Sequence, residues 1–186
     1  VMERYSAIPF IGLSATPYSA GLGKTYDSLI VPITTKDLIN DNKLVPLIYY
    51  GGKHIDTKGM KKKRLNTGVI DFDPAQLAEA SDKVELVGDV IENYRKHALG
   101  RKAIAFTASI KQSEDLVDKF NEAGIRAFHI SGYTKPEDRK EIFEAHRKGD
   151  FDILSCSKLL TTGYDEPEIS CIIDLQPTNS LILQIQ

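Results

Sequence analysis

The residues best suited to chemistry lie between Asp152 and Leu175, in the stretch DILSCSKLLTTGYDEPEISCIIDL. Apolar pairs, Ile153-Leu154 and Ile172-Ile173, stand near its two ends. Between them runs a polar loop, Thr161-Thr162-Gly163-Tyr164-Asp165-Glu166-Pro167. The pattern reads as two buried strands of a parallel sheet joined by a loop that carries chemistry. Gly163 would let the backbone approach a phosphate closely. Asp165, two residues on, can accept a hydrogen bond from a ribose hydroxyl. The simpler reading of Asp165 is a turn aspartate ahead of Pro167.

A second polar stop follows the apolar run AIPFIGL at residues 7–13, where Ser14-Ala15-Thr16 meets Pro17. Proline disfavours helix at the residue before it, so a strand over these residues should end in a polar turn. Next comes Gly21-Leu22-Gly23-Lys24-Thr25. A phosphate-binding P-loop needs G-x-x-x-x-G-K-S/T between a strand and a helix. Its first glycine would fall at position 18, which is Tyr18, and Pro32 interrupts any helix after Thr25. The glycines are therefore expected to make a turn. A small P-loop NTPase using Lys24 and Thr25 would need a strand directly before Gly21 and a helix directly after Thr25.

Lys58, Lys61, Lys62, Lys63 and Arg64 form a dense basic run. It reads as a solvated loop, with phosphate contact near a domain junction as the alternative. The formal net charge is −2, so any nucleic-acid surface must be a local patch. The four histidines form no i, i+4 pair, and Cys156 and Cys171 lack metal-ligand spacing. No metal site is expected, and the cysteines read as buried thiols in strands. No apolar run approaches membrane-spanning length and no signal-peptide pattern opens the chain, which reads as cytoplasmic.

The elements that must position these residues follow from periodicity and stop signals. With 186 residues, 41% hydrophobic, the chain suits one domain, or one domain and a piece of another. Thr35 to Asp41 is a short helix candidate with Thr35 as its cap, and Leu44 to Tyr50 reads as a strand. Residues 51–82 are the least regular, with Phe72 docking a linker. Helices are expected from Asp82 to Gly100, over 110–123 with Ser109 and Gln112 as a capping box, and from Thr134 to Gly149. Strands are expected over 102–107, 126–130, 152–155 and 171–175, a short helical turn over 157–162, and a last helix capped by Asn179 or Ser180. Strand–helix alternation implies right-handed crossovers and a parallel sheet, with ligands at the carboxyl ends of the strands. Thr107 to Ser109, Ser131-Gly132, Ser155 to Lys158 and Gln176 to Asn179 all follow strand ends, so they should line one edge. A Rossmann dehydrogenase would carry Gly-x-Gly-x-x-Gly where Thr107-Ala108-Ser109 stands.

From Asp82 onward the chain resembles the second RecA-like domain of superfamily 2 helicases, nearest to RadD-like DNA repair helicases and type III restriction subunits. Gly163-Tyr164-Asp165-Glu166-Pro167 resembles motif V, with Ser157 where a threonine is usual. Lys102 to Ser109 is similar to motif IV. His129-Ile130-Ser131-Gly132 followed by Arg139 resembles the His-x-x-Gly plus Arg element. Pro177-Thr178, Ser180-Leu181 and Gln186 are similar to the run into motif VI. Ser14-Ala15-Thr16 is similar to motif III, which closes the first RecA-like domain. A Gly-Leu-Gly-Lys turn shortly after motif III also belongs to this resemblance.

The resemblance implies an α/β fold: a RecA-like parallel sheet with flanking helices, preceded by a linker and the tail of a first RecA-like domain. The expected boundaries are 1–25 for that tail, 26–80 for the linker and 81–186 for the second domain. The implied activity is that of an ATP-dependent helicase or translocase, acting on DNA in repair or restriction, with RNA as the other possible partner. Gly163, Asp165 and Gln186 would serve ATP, and Ser14 and Thr16 would couple nucleotide state to the nucleic acid. Thr107, Ser109, Ser131, Gly132, Ser157 and Lys158 would face the nucleic-acid backbone. Arg139 would either join them or pair on its helix with Glu141 or Glu144. The P-loop, the Mg2+ ligands and the arginines of motif VI are expected outside this sequence, so the fragment alone should be inactive. The implied partner is the first RecA-like domain of the same parent chain. The alternative is a non-catalytic RecA-like module that binds nucleic acid.

Overall fold

The computed structural model describes residues 8–13, 21–52, 56–65, 70–81, 84–157, 159–160, 164, 166–176 and 178. Its contacts divide the chain into one unit ending at Ile48 and another beginning at Tyr49.

In the first unit, Gly21 adopts a left-handed conformation (φ +93°) and leads into a single 3-10 turn, Leu22–Lys24. The glycines make a turn, as expected. Residues 26–34 hold no helix, so the phosphate-binding loop reading loses the element it requires. Helix α1, Thr35–Asn40, follows. Its cap is Thr34, one residue before the expected Thr35. The Thr34 hydroxyl accepts from the Asp37 amide while the Asp37 carboxylate accepts from the Thr34 amide. The expected strands over residues 7–13 and 44–50 do not form among the described residues. A strand needs a partner for its backbone groups, and no described segment pairs with either run.

The second unit opens where the sequence looked least regular. Strand β1, Lys62–Arg64, pairs antiparallel with β2, Ile70–Phe72. Helix α2, Pro74–Ser81, comes next, with Leu77 buried. The basic run is thus partly a strand of a hairpin rather than a loop. Helix α3 spans Val84–His97. Then follow β3, Ala103–Thr107; α4, Ile110–Glu122; β4, Ala127–Ile130; α5, Pro136–Lys148; β5, Ile153–Ser157; and β6, Cys171–Leu175. Left-handed glycines end the helical segments: Gly100 (φ +78°) after α3, Gly124 (+76°) after α4 and Gly149 (+82°) after α5.

The sheet is four-stranded and parallel, ordered β4-β5-β3-β6. It is the RecA-like α/β arrangement expected. The chain moves outward from β3 to β4 and back from β4 to β5. For crossovers of one hand, that reversal puts α4 and α5 on opposite faces. The packing agrees. Ala103, Ala105 and Ile153 pack with Tyr94 of α3 and with Leu116, Val117 and Phe120 of α4. Ile104, Leu154 and Cys156 pack on the other face with Ile130, Phe151, Ile142 and Phe143. Alternate residues along each strand thus serve alternate faces. Cys156 is buried, Cys171 half-buried, and both are free thiols in strands. No helix among the described residues is long and apolar enough to cross a membrane.

Candidate functional site

All four parallel strands end at one edge, and the loops leaving β3, β4 and β5 meet there. Ala108, Ser109, Ile110, Gly132, Tyr133, Ser157 and Leu159 surround a cleft of about 420 Å³. Three expected residues, Ser109, Gly132 and Ser157, are brought together by this edge. Each strand end is locked by its own local chemistry.

After β3, the Ser109 hydroxyl accepts from the Gln112 amide (3.0 Å) and caps α4. The Gln112 side chain accepts from the Ala108 amide (2.8 Å), not from Ser109 as a capping box would have it. Thr107 does not present its hydroxyl to the cleft. It is fully buried, with Oγ1 within hydrogen-bonding distance of the Ser109 and Cys156 carbonyls (3.0 and 3.2 Å). One hydroxyl proton serves one of these acceptors at a time, so Thr107 ties β3 to β5 and shapes the loop. Helix α4 begins at the cleft, which brings the positive end of its dipole to this edge.

After β4, Ser131 is also buried, at 7% exposure. Its amide donates to Thr134 Oγ1 (3.0 Å), and its hydroxyl accepts from the Tyr133 amide (3.3 Å). Thr134 therefore folds the turn, and the cap position of α5 falls to Lys135. Arg139 pairs with neither Glu141 nor Glu144. Its guanidinium donates to the Thr134 carbonyl from Nε and to the Gly132 carbonyl from Nη2, both at 2.9 Å. It is a positioning residue for the Gly132 turn. Tyr133 stands out from that turn at 87% exposure. The sequence reading passed over it. Its signal was an aromatic directly after Ser-Gly at a strand end.

After β5, Ser157 closes the strand rather than opening a helical turn, and it is half-buried at the cleft. Lys158, Gly163, Asp165, Gln186, Ser14 and Thr16 lie outside the described residues, as do Asn179 and Ser180. The described neighbours of Asp165 are firmly held. Tyr164 packs its ring on Phe143 (centroids 4.8 Å apart), and its hydroxyl lies 3.3 Å from His146 Nδ1. His146 Nε2 faces the Asp152 carbonyl at 3.4 Å, so Nε2 carries the proton and Tyr164 donates to Nδ1. The Glu166 carboxylate, almost wholly buried, takes a 2.8 Å ion pair from Arg147 Nε. That guanidinium holds the Glu166 carboxyl below the usual carboxylate range. Lys102 bonds Glu168 on the same segment and the Arg147 carbonyl.

Beneath the edge, three polar groups cross the core. Ser113 Oγ on α4 lies 2.7 Å from His129 Nδ1 on β4 and 2.6 Å from Ser155 Oγ on β5. His129 Nε2 is buried without a hydrogen-bond partner among the described residues. Burial pushes the imidazole pKa down, opposed by the Glu114 carboxylate. Among the described residues, no group of three or more His, Cys, Asp or Glu side chains could hold a metal ion.

Residues 82–186 match the helicase conserved C-terminal domain family. The chain belongs to that family. The helicase domain is similar in sequence to several known proteins. A 51.5 kDa protein of a Lactococcus phage is 34% identical over 189 residues, covering 100% of this chain and 40% of the phage protein. The UvrABC system protein B of Chlorobium chlorochromatii is 33% identical over 107 residues, 57% of this chain and 15% of that protein. A Schizosaccharomyces pombe protein named as a mitochondrial ATP-dependent helicase, irc3, is 27% identical over 171 residues, 90% of this chain and 27% of that protein. The chain spans less than half the length of each of these relatives.

Proposed function

We propose that the chain is one part of an ATP-dependent helicase or translocase, supplying half of an ATP cleft and an edge that grips a nucleic-acid backbone. The observation that carries this reading is the meeting of Ser109, Gly132 and Ser157 from three strand-end loops around one cleft. Hydroxyls, loop backbone and a helix start suit phosphate and sugar contact, which positions a strand without reading its sequence. Ser131 and Thr107 stiffen the loops from below, and Lys158 adds charge beside Ser157. DNA is the assigned partner, with a role in repair or restriction, because the motifs resemble those of DNA repair and restriction enzymes.

Gly163, Asp165 and Gln186 line this chain's side of the ATP cleft in the proposal. ATP with Mg2+ supplies the phosphoanhydride whose hydrolysis drives the motor, and the protein's task is positioning and charge stabilisation. Residues 1–25 form the tail of the first RecA-like domain, 26–80 the linker and 81–186 the second domain. Ser14 and Thr16 transmit nucleotide state as the two domains close and reopen about the cleft.

ATP hydrolysis by the 186-residue chain and by a longer protein containing it, each with and without single-stranded DNA or RNA, tests this. A silent chain and a DNA-stimulated longer protein are expected. Hydrolysis by the chain itself, lost on Lys24→Ala, would overturn the reading. A longer protein that binds DNA but never hydrolyses ATP would make the domain a binding module.

A further inference from the structure

The basic run has a fixed geometry that a solvated loop would lack. Lys62 and Lys63 lie on β1, and every residue of that strand is exposed. Its backbone is pinned on both sides. The Lys61 amide donates to Gln76 Oε1 (2.8 Å), the Asp73 amide donates to the Lys61 carbonyl (2.8 Å), and Lys62 to Arg64 pair with Phe72 to Ile70. Among the described residues, no carboxylate lies within ion-pair distance of the Lys58, Lys61, Lys62 or Lys63 side chains. Side chains alternate along the strand, so Lys61 and Lys63 lie on one face of the hairpin and Lys62 on the other. The long unneutralised side chains concentrate positive charge around one exposed strand in a chain whose net charge is −2.

The hairpin is also tied to a definite place. Asp71 on β2 is buried, and Thr178 Oγ1 donates to its Oδ2 (2.5 Å). Thr178 lies three residues beyond the end of β6, so it can stand at most about 10 Å from the carboxyl end of that strand. Strand β6 neighbours β3, whose following loop lines the cleft. The hairpin that carries the lysines is therefore held at the same edge of the sheet as Ser109, Gly132 and Ser157.

We infer that Lys61, Lys62 and Lys63 form a second contact for the nucleic-acid phosphate backbone, separate from the strand-end cleft. This rests on the proposed nucleic-acid reading of that cleft. The two contacts differ in kind. The cleft offers neutral hydrogen-bonding groups, whereas the hairpin offers point charges that displace condensed counterions. A fixed strand loses less freedom on binding than a loop would, so its lysines are better disposed than their number alone suggests. Amino groups spaced along a strand follow a charged backbone and discriminate little among bases.

The test is binding of a labelled single-stranded oligothymidylate to the full 186-residue chain, followed by fluorescence anisotropy across a range of salt concentrations. The Lys61→Ala/Lys62→Ala/Lys63→Ala chain should bind about tenfold or more weakly at low salt. Its log–log salt slope should shrink by about 2, at roughly 0.7 for each lost contact to a single strand. The matching lysine-to-arginine chain should keep both. Circular dichroism checks that each variant folds, which these exposed side chains should permit. Unchanged affinity and slope in the alanine chain would overturn the inference and leave the cleft reading standing. No binding by the unaltered chain would remove both. Equal binding of polyglutamate through the same lysines would assign the row to an acidic protein partner and overturn the nucleic-acid assignment.

Discussion

The two units of this chain treat apolar sequence in opposite ways. In the unit beginning at Tyr49, runs such as Ala103 to Ala105 and Ile153 to Leu154 are buried strands. In the unit ending at Ile48, Leu13 is 94% exposed and Val45 87% exposed, in runs of comparable apolar character that form no strand. What separates them is a partner. Strand β3 has β5 on one side and β6 on the other, and helices cover both faces. An apolar run is half of a strand, and the rest is the neighbour that takes its backbone hydrogen bonds.

The largest way to break that comparison is to remove a core side chain. Phe120→Ala should destabilise the sheet unit by about 3–5 kcal/mol, while Val45→Ala in the same chain should change stability by no more than about 0.5 kcal/mol. Urea unfolding followed by circular dichroism measures both. Equal losses would mean that the two units share one core. At the edge, Tyr133→Ala should weaken single-stranded DNA binding by about 1–3 kcal/mol through lost base stacking, while Tyr133→Phe should keep it. Anisotropy titrations decide, and a Phe variant as weak as the Ala variant would discard stacking.

Local caps should matter alike in both units, because they need no distant partner. Ser109→Ala and Thr34→Ala should each cost about 1 kcal/mol of helix-end stability. Amide exchange at Gln112 and Asp37 reads this directly. The smallest effect expected is that of pH, because it acts through two imidazoles. Burial lowers the pKa of both His129 and His146 below the ordinary histidine value. The unfolded chain therefore takes up protons first as the pH falls through about 6.5. Stability is full above that value and declines below it. The urea midpoint should drop between neutral and mildly acidic pH, and His146→Gln should lessen the drop. A midpoint that rises on acidification would contradict the buried neutral imidazoles.

Much of the sheet unit was legible because its signals are local. Ser109 before α4, Gly124 after it and Gly149 after α5 each act within a turn of chain. The hairpin was not legible, since β1 is Lys-Lys-Arg and owes its conformation to pairing with Ile70 to Phe72. Ser109, Gly132 and Ser157 could be read from strand ends alone. Thr107 and Ser131 could not be separated from them, because the pattern names a loop and not which hydroxyl the core will claim. Arg139 stayed open between the nucleic-acid edge and a helix-surface ion pair for a related reason. Its partners are carbonyls of the preceding turn, and carbonyls leave no mark in a sequence.

The central claim is that the carboxyl edge of the sheet is the nucleic-acid side. Amide chemical shifts of the 186-residue chain, followed by NMR during titration with oligothymidylate, test it most directly. Shifts should cluster at Ser109, Gly132, Tyr133 and Ser157, with a second group at Lys61 to Arg64. Arg101, Lys102, Ile125 and Phe151, at the opposite edge, should stay still. Shifts centred on that opposite edge, or none anywhere, would contradict the account.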